Sequence, residues 1–232
     1  MKKSKKSKNT PTHFEYNKSL KKPSQAFGMS LIKFVDVYIN RPMAGLIVRA
    51  VFKTGITPNS LTYFSFIVGM VGAYFFTRGT VTDFIVAGIL TQLASVIDGA
   101  DGMLARAKNM CSEYGSHLDL FLDRITDFSL FSCIGLGVSI YSKNPRFLYL
   151  GLLAAGLYML QINLFYLTKS YQQNKERGDT GEARALLLLL VLIFAVANHL
   201  EIFIYLLLAQ AIIMDTGRMI YFISLGFKKD RR

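Results

Sequence analysis

The sequence predicts an all-α membrane protein: six transmembrane helices preceded by an N-terminal amphipathic helix lying in the interface. Three observations predict it. The runs "SLTYFSFIVGMVGAYFF", "FLYLGLLAAGLYMLQINLFYL" and "ALLLLLVLIFAVA" approach or exceed the length of a bilayer span. The 232 residues are 52% hydrophobic and only 18% charged, which suits one compact membrane domain. The net charge of +12 gathers at the chain ends and in certain loops. Because those basic segments flank apolar helices, they read as cytoplasmic membrane anchors rather than as a nucleic-acid surface.

The elements follow in order. Residues 1–25, opening "MKKSKKSK", form a basic tail expected to be disordered. Its first ten residues lack an apolar core and do not read as a cleavable signal. Residues 26–56 are the interfacial helix. Leu31, Phe34, Val35 and Tyr38 recur at helical spacing among Lys33, Arg41, Arg49 and Lys53. Pro42 predicts a bend there. Residues 57–226 hold the six spans, at about 60–76, 82–105, 118–141, 147–169, 183–197 and 202–225. "TPNS" starts the first of them. Loops are short apart from "SYQQNKERGDTGEAR", and residues 227–232 form a basic C-terminal tail.

Lysine and arginine set the orientation. The basic N-terminal tail, Arg106, Lys108, Lys175, Arg177, Arg184 and the C-terminal tail fall on one side, against Arg78, Lys143 and Arg146 on the other. This asymmetry predicts both termini in the cytoplasm. Cys111 lies in a polar loop and Cys133 in a span, so both read as reduced thiols. His13, His117 and His199 have no metal-like partners in sequence.

The chemistry concentrates in "DGADGMLARAKNMCSEYGSHLDLFLD", residues 98–123. Ionisable groups at the edge of lipid are costly and mark function. Asp98 and Asp101 are three apart, Asp119 and Asp123 four apart, so each pair shares a helix face. The turn between spans two and three brings the pairs together. Four carboxylates so close repel unless a cation joins them, and hard oxygen ligands suit Mg²⁺, Mn²⁺ or Ca²⁺. Gly102 and Ala105 strip one helix face of bulk, Arg106 is placed to pair with a phosphate, and Gly115 clears room one turn before Asp119. Together these features point to a diphosphate substrate and displacement at phosphorus.

These residues read D-x-x-D-G-x-x-A-R, eight residues, then G-x-x-x-D-x-x-x-D. That pattern fixes eight positions over 26 residues and resembles the signature of the CDP-alcohol phosphotransferases, with no position missing. The resemblance implies transfer of a phosphate-linked group from a CDP-alcohol, often CDP-diacylglycerol, to a hydroxyl, with release of CMP. It implies two Mg²⁺ or Mn²⁺ ions held by Asp98, Asp101, Asp119 and Asp123, with Asp123 also the general base. Gly102, Ala105, Arg106 and Gly115 would line the nucleotide site. "TPNSLT" resembles the family's P-N-x-x-T element, which implies cytidine contact by Pro58, Asn59 or Thr62. Ser112 matches a position that contacts the nucleotide, and "CSEY" equally reads as a helix cap. The resemblance also implies a homodimer and a cytoplasmic site.

The acceptor is less defined. "LDLFLDRITDF" looks closer to members using inositol phosphates or related polyols than to serine-using ones. Choline, ethanolamine and glycerol phosphate are the alternatives. Lys169, Lys175 and Arg184 border the linker and read either as topology determinants or as an anion pocket for the acceptor. Asp127, four after Asp123, reads as support pairing with Arg124, and Asp215 and Arg218 as a mutual ion pair. The rivals from other classes are a divalent-cation transporter and a non-catalytic membrane scaffold.

Overall fold

The computed structural model describes residues 34–171 and 181–229. The basic tail, the start of the interfacial helix, the linker residues Lys175 and Arg177, and the last three residues lie outside the described residues.

Every regular element among the described residues is helical. A π-helical turn, Asp36–Asn40, runs directly into α1 (Arg41–Val51). Pro42 is the second residue of α1, directly after the π-helical turn, and has no N–H to give to that turn. The turn before it is widened, with the Arg41 N–H bonded to Asp36 O. The departure from regular α-helix beside Pro42 is this π-helical turn.

Then come α2 (Pro58–Phe76), α3 (Val81–Ala107), α4 (Glu113–Ser142), α5 (Arg146–Tyr171), α6 (Gly181–Val196) and α7 (Leu200–Lys229). Three helices start on hydroxyl caps: Thr57 accepts from Ser60 N–H, Thr80 from Asp83 N–H and Ser112 from Gly115 N–H. The turns after α3, α4 and α6 use Asn109, Lys143 and Asn198 in the left-handed region.

Five helices, α2 to α5 and α7, are long and apolar enough to cross a membrane. Their outward faces carry large apolar side chains such as Phe64, Ile67, Tyr149, Ile213 and Ile220. So much exposed apolar surface suits lipid and not water. The protein is an all-α membrane protein. The fifth predicted span is helical as expected, but α6 has 16 residues and reaches only about 24 Å at 1.5 Å per residue, short of a bilayer core. α7 runs through Lys229, so the first residues assigned to the C-terminal tail are helical.

Packing decides where a site can form. α2 lies against both α3 and α4, α5 against α4 and α7, and α6 against α3 and α7. The helices bearing the aspartate pairs, α3 and α4, have no close backbone contact with each other. The space between them is therefore bridged by side chains. α4 and α5 meet backbone to backbone: a Cβ added to Gly135 would stand 2.6 Å from the Gly151 Cα. Small residues allow such approach where no hydrophobic driving force joins helices in lipid. α1 is pinned to α3 by buried amides, with Asn40 Nδ2 donating to Ser95 Oγ at 3.2 Å and Gln92 Nε2 donating to Asn40 Oδ1 at 2.9 Å.

Candidate active site

Asp98 comes from α3, Asp119 and Asp123 from α4. One carboxylate oxygen of each lies within 4.8 Å of the others. That separation is about twice a 2.0–2.5 Å metal–oxygen bond, the spread of oxygens around one hard cation. Asp119 Oδ1 is buried with no hydrogen-bond partner. Three carboxylates this close, one of them with an oxygen left unpartnered, are a donor set suited to a divalent ion.

Asp101 stands apart from this group of three. One turn along α3 from Asp98, it is 7% exposed and accepts a hydrogen bond from Thr62 Oγ1 of α2. The Thr62 hydroxyl also lies 3.2 Å from Pro58 O. Asp98, Asp119 and Asp123 thus form one close group, and Asp101, one turn from Asp98, is held by the start of α2.

Arg184, at the start of α6, reaches into the cluster. Its Nη1 lies 2.8 Å from Asp123 Oδ1 and 3.3 Å from Asp98 Oδ2. Its Nε donates to Asp127 Oδ1 at 2.9 Å. Asp127 is fully buried, and its other oxygen faces Arg124 Nη1 at 3.5 Å. Asp127 therefore pairs with Arg124 as expected and also sets the plane of the Arg184 guanidinium. A small cavity beside the cluster is lined by Thr62, Ser65, Asp98, Asp123, Thr126 and Arg184.

The segments expected to face a nucleotide come together around the start of α2. Ser112 serves as the cap of α4, accepting from Gly115 N–H at 3.0 Å. A Cβ on Gly115 would lie 3.0 Å from Ser112 Oγ and 3.1 Å from Asn59 Oδ1, so the α2 and α4 starts face each other there. The Arg106 guanidinium folds over Gly102, where a Cβ would be 3.5 Å from Nη1, and Arg106 itself is exposed. Ala105 O accepts from Met110 N–H at 2.8 Å and closes the end of α3. Pro58 is buried at the first position of α2.

One expectation fails in detail. Asp215 and Arg218 do not form their ion pair. Arg218 Nη1 donates to Gln161 O at 2.8 Å and its guanidinium lies 5.3 Å from the Phe165 ring, while both Asp215 oxygens are buried without hydrogen-bond partners. The α5 carbonyl and ring outcompete a carboxylate three residues away. Lys169 stands near the end of α5. Its Nζ lies 5.9 Å from the same Phe165 ring. Both cysteines are free, as expected. Sequence reasoning missed the direct contact of Arg184 with the aspartates; the one available signal was a lone arginine opening the apolar run "RALLLLLVL".

The family model for CDP-alcohol phosphatidyltransferases matches residues 55–218. The chain belongs to the CDP-alcohol phosphatidyltransferase family. The match contains the start of α2, all four aspartates and Arg184. Among curated proteins the chain is similar to the archaetidylinositol phosphate synthase of Pyrococcus horikoshii, 36% identical over 89 residues, 38% of this chain and 46% of that one. It is also similar to the bifunctional IPC transferase and DIPP synthase of Thermococcus kodakarensis, 32% identical over 121 residues, 52% of this chain and 26% of that one. The protein of that name from Archaeoglobus fulgidus is 36% identical over 105 residues, 44% of this chain and 20% of that one. The chain thus spans less than half the length of these relatives. Within this CDP-alcohol phosphatidyltransferase chain, both aspartate pairs of the signature fall on α3 and α4, at the gap those helices leave.

Proposed function

We propose that the chain transfers a phosphate-linked alcohol from a CDP-alcohol, CDP-diacylglycerol in our reading, to a hydroxyl of inositol phosphate, releasing CMP. The observation that carries it is the grouping of Asp98, Asp119 and Asp123 inside a family match that spans most of the chain. The inositol phosphate acceptor draws support from the printed name of the Pyrococcus relative and from the basic residues Arg184, Lys169 and Arg218. The alternative acceptors are choline, ethanolamine and glycerol phosphate.

Asp98, Asp119 and Asp123, with Asp101 beside them, would hold two Mg²⁺ or Mn²⁺ ions, which when bound neutralise charge on the donor's pyrophosphate. Asp123 accepts the proton of the acceptor hydroxyl as its oxygen attacks the phosphorus that carries the lipid alcohol. A P–O bond forms to the acceptor, the P–O bond to CMP breaks, and CMP leaves. Pro58, Asn59 and Thr62 at the start of α2, with Gly102, Ala105, Arg106, Ser112 and Gly115, cradle the cytidine diphosphate. The Arg106 guanidinium faces a phosphate, and the bare Gly102 and Gly115 let the ligand approach the backbone. Arg184 orients the Asp123 carboxylate and offers its charge to the acceptor's phosphate.

In this reading residues 57–226 form the catalytic domain with α6 as its fifth span. Both termini and the site face the cytoplasm, as the loop lysines and arginines favour. Two copies associate as a homodimer in the bilayer.

The test uses protein purified in detergent with Mg²⁺ or Mn²⁺, a panel of CDP-alcohols and a panel of acceptors, with CMP measured. CMP formation dependent on inositol phosphate is the expected result. No CMP with any pair, together with metal flux in vesicles, would give the case to a transporter.

A further inference from the structure

We propose that Lys108 is a positioning residue for the donor nucleotide: it ties the loop ahead of α2 to the end of α3 and so sets the width of the cytidine diphosphate cradle. This rests on the functional reading above. In sequence Lys108 is only one of the basic loop residues that orient the chain. In the structure it has specific partners. Its Nζ donates to Thr54 O at 2.9 Å and to Ile56 O at 2.8 Å, carbonyls more than fifty residues earlier in the chain.

Those carbonyls lie just past the C-terminal end of α1, where unsatisfied oxygens favour a cation with several donors. The loop's other hydrogen bonds are local: Thr54 Oγ1 donates to Val51 O at 2.6 Å, and Ile56 N–H to Thr54 Oγ1 at 3.3 Å. Lys108 therefore supplies the side-chain hydrogen bonds from this loop to the end of α3. Two residues after Ile56, α2 opens with Pro58 and Asn59. Asn59 faces Ser112 and Gly115 on one side of that opening. Lys108, two residues after the Arg106 that folds over Gly102, anchors the chain ahead of that opening. One ammonium outside the three segments assigned to the nucleotide thus ties the chain entering 58–62 to the end of 102–106, while 112–115 faces Asn59. Arg106 is left exposed for a phosphate, while the charge of Lys108 is spent on carbonyls.

Wild type, K108M and K108R are compared in detergent with Mg²⁺, reading the KM of each substrate, kcat, and CMP affinity by calorimetry. K108M is expected to raise the KM for the CDP-alcohol and weaken CMP binding about tenfold, with kcat within about twofold and the acceptor KM unchanged. K108R, which keeps a cation at the carbonyls, is expected to recover to within about threefold of wild type. If K108M does not fold, K108Q carries the test, with an expected rise in donor KM of about threefold. Donor KM and CMP affinity equal to wild type in the neutral variant overturn the proposal, as does a loss confined to kcat. A wild-type chain that neither binds nor releases CMP ends the functional reading and this proposal with it. Normal wild-type turnover beside an unaffected K108M ends this proposal alone.

Discussion

Arg184 Nη1 stands 2.8 Å from Asp123 Oδ1, so the candidate base is held by a cation from another helix. The same guanidinium meets Asp98 and Asp127, and it is only 9% exposed. Removing one partner of a buried charge network leaves the others uncompensated. R184Q is expected to lower stability by about 3 kcal/mol, read as a drop in melting temperature in detergent. Added Mg²⁺ or Mn²⁺ is expected to restore part of that drop, since bound cations take over the neutralising role. A melting temperature that R184Q leaves unchanged would show that the aspartates do not need the guanidinium.

In the proposed mechanism Asp123 is the position where chemistry and binding separate. D123N keeps the shape of the side chain but removes its ability to take a proton. CDP-alcohol binding is expected to persist while CMP release slows by about a thousandfold, the range of a lost general base. Equilibrium binding and single-turnover CMP release measured on one preparation check it. Near-normal turnover removes Asp123 from the mechanism.

Thr62 and Asp101 make a second test. Asp101 is buried, and the Thr62 hydroxyl is its donor from α2. T62V keeps the shape and deletes the donor, leaving a buried carboxylate short of one hydrogen bond. Activity is expected to fall about ten- to a hundredfold, with T62S close to wild type. Equal activity in T62V and T62S would mean that the bond is incidental.

What the sequence reveals and what it hides divides along physical lines. The long spans are legible because apolar length alone selects them, and the aspartate pairs because three- and four-residue spacing fixes a helix face. The apolar run places the third span from 118, five residues inside α4, because "EYGSH" is polar; the cap that "CSEY" offers at Ser112 marks the true start. Contacts between distant elements are not legible. Arg184 and Asp127 are 57 residues apart, and nothing in either segment names the other. The expected pair of Asp215 and Arg218 fails for the same reason, since the competing carbonyl of Gln161 lies on α5. Local spacing says which side chains are able to meet, and packing decides which of them do.

The glycines of the helix crossings give the last prediction, because the structure separates them sharply. A Cβ on Gly151 would stand 2.5 Å from the Gly135 Cα, a distance that backbone atoms cannot relieve by rotating a side chain. G135A and G151A must push α4 and α5 apart, so each is expected to cost about 2 kcal/mol and to lower the yield of folded protein. Gly156 on α5 and Gly217 on α7 have nothing within 4 Å of an added Cβ. G156A and G217A are therefore expected to be neutral or to stabilise by up to about 1 kcal/mol, because alanine is the better helix former. Melting temperatures of the four variants decide it. Loss of stability in G156A comparable to that in G135A would mean that the open face of α5 is covered in the protein as it works, and the lipid-facing assignment of that face would fall.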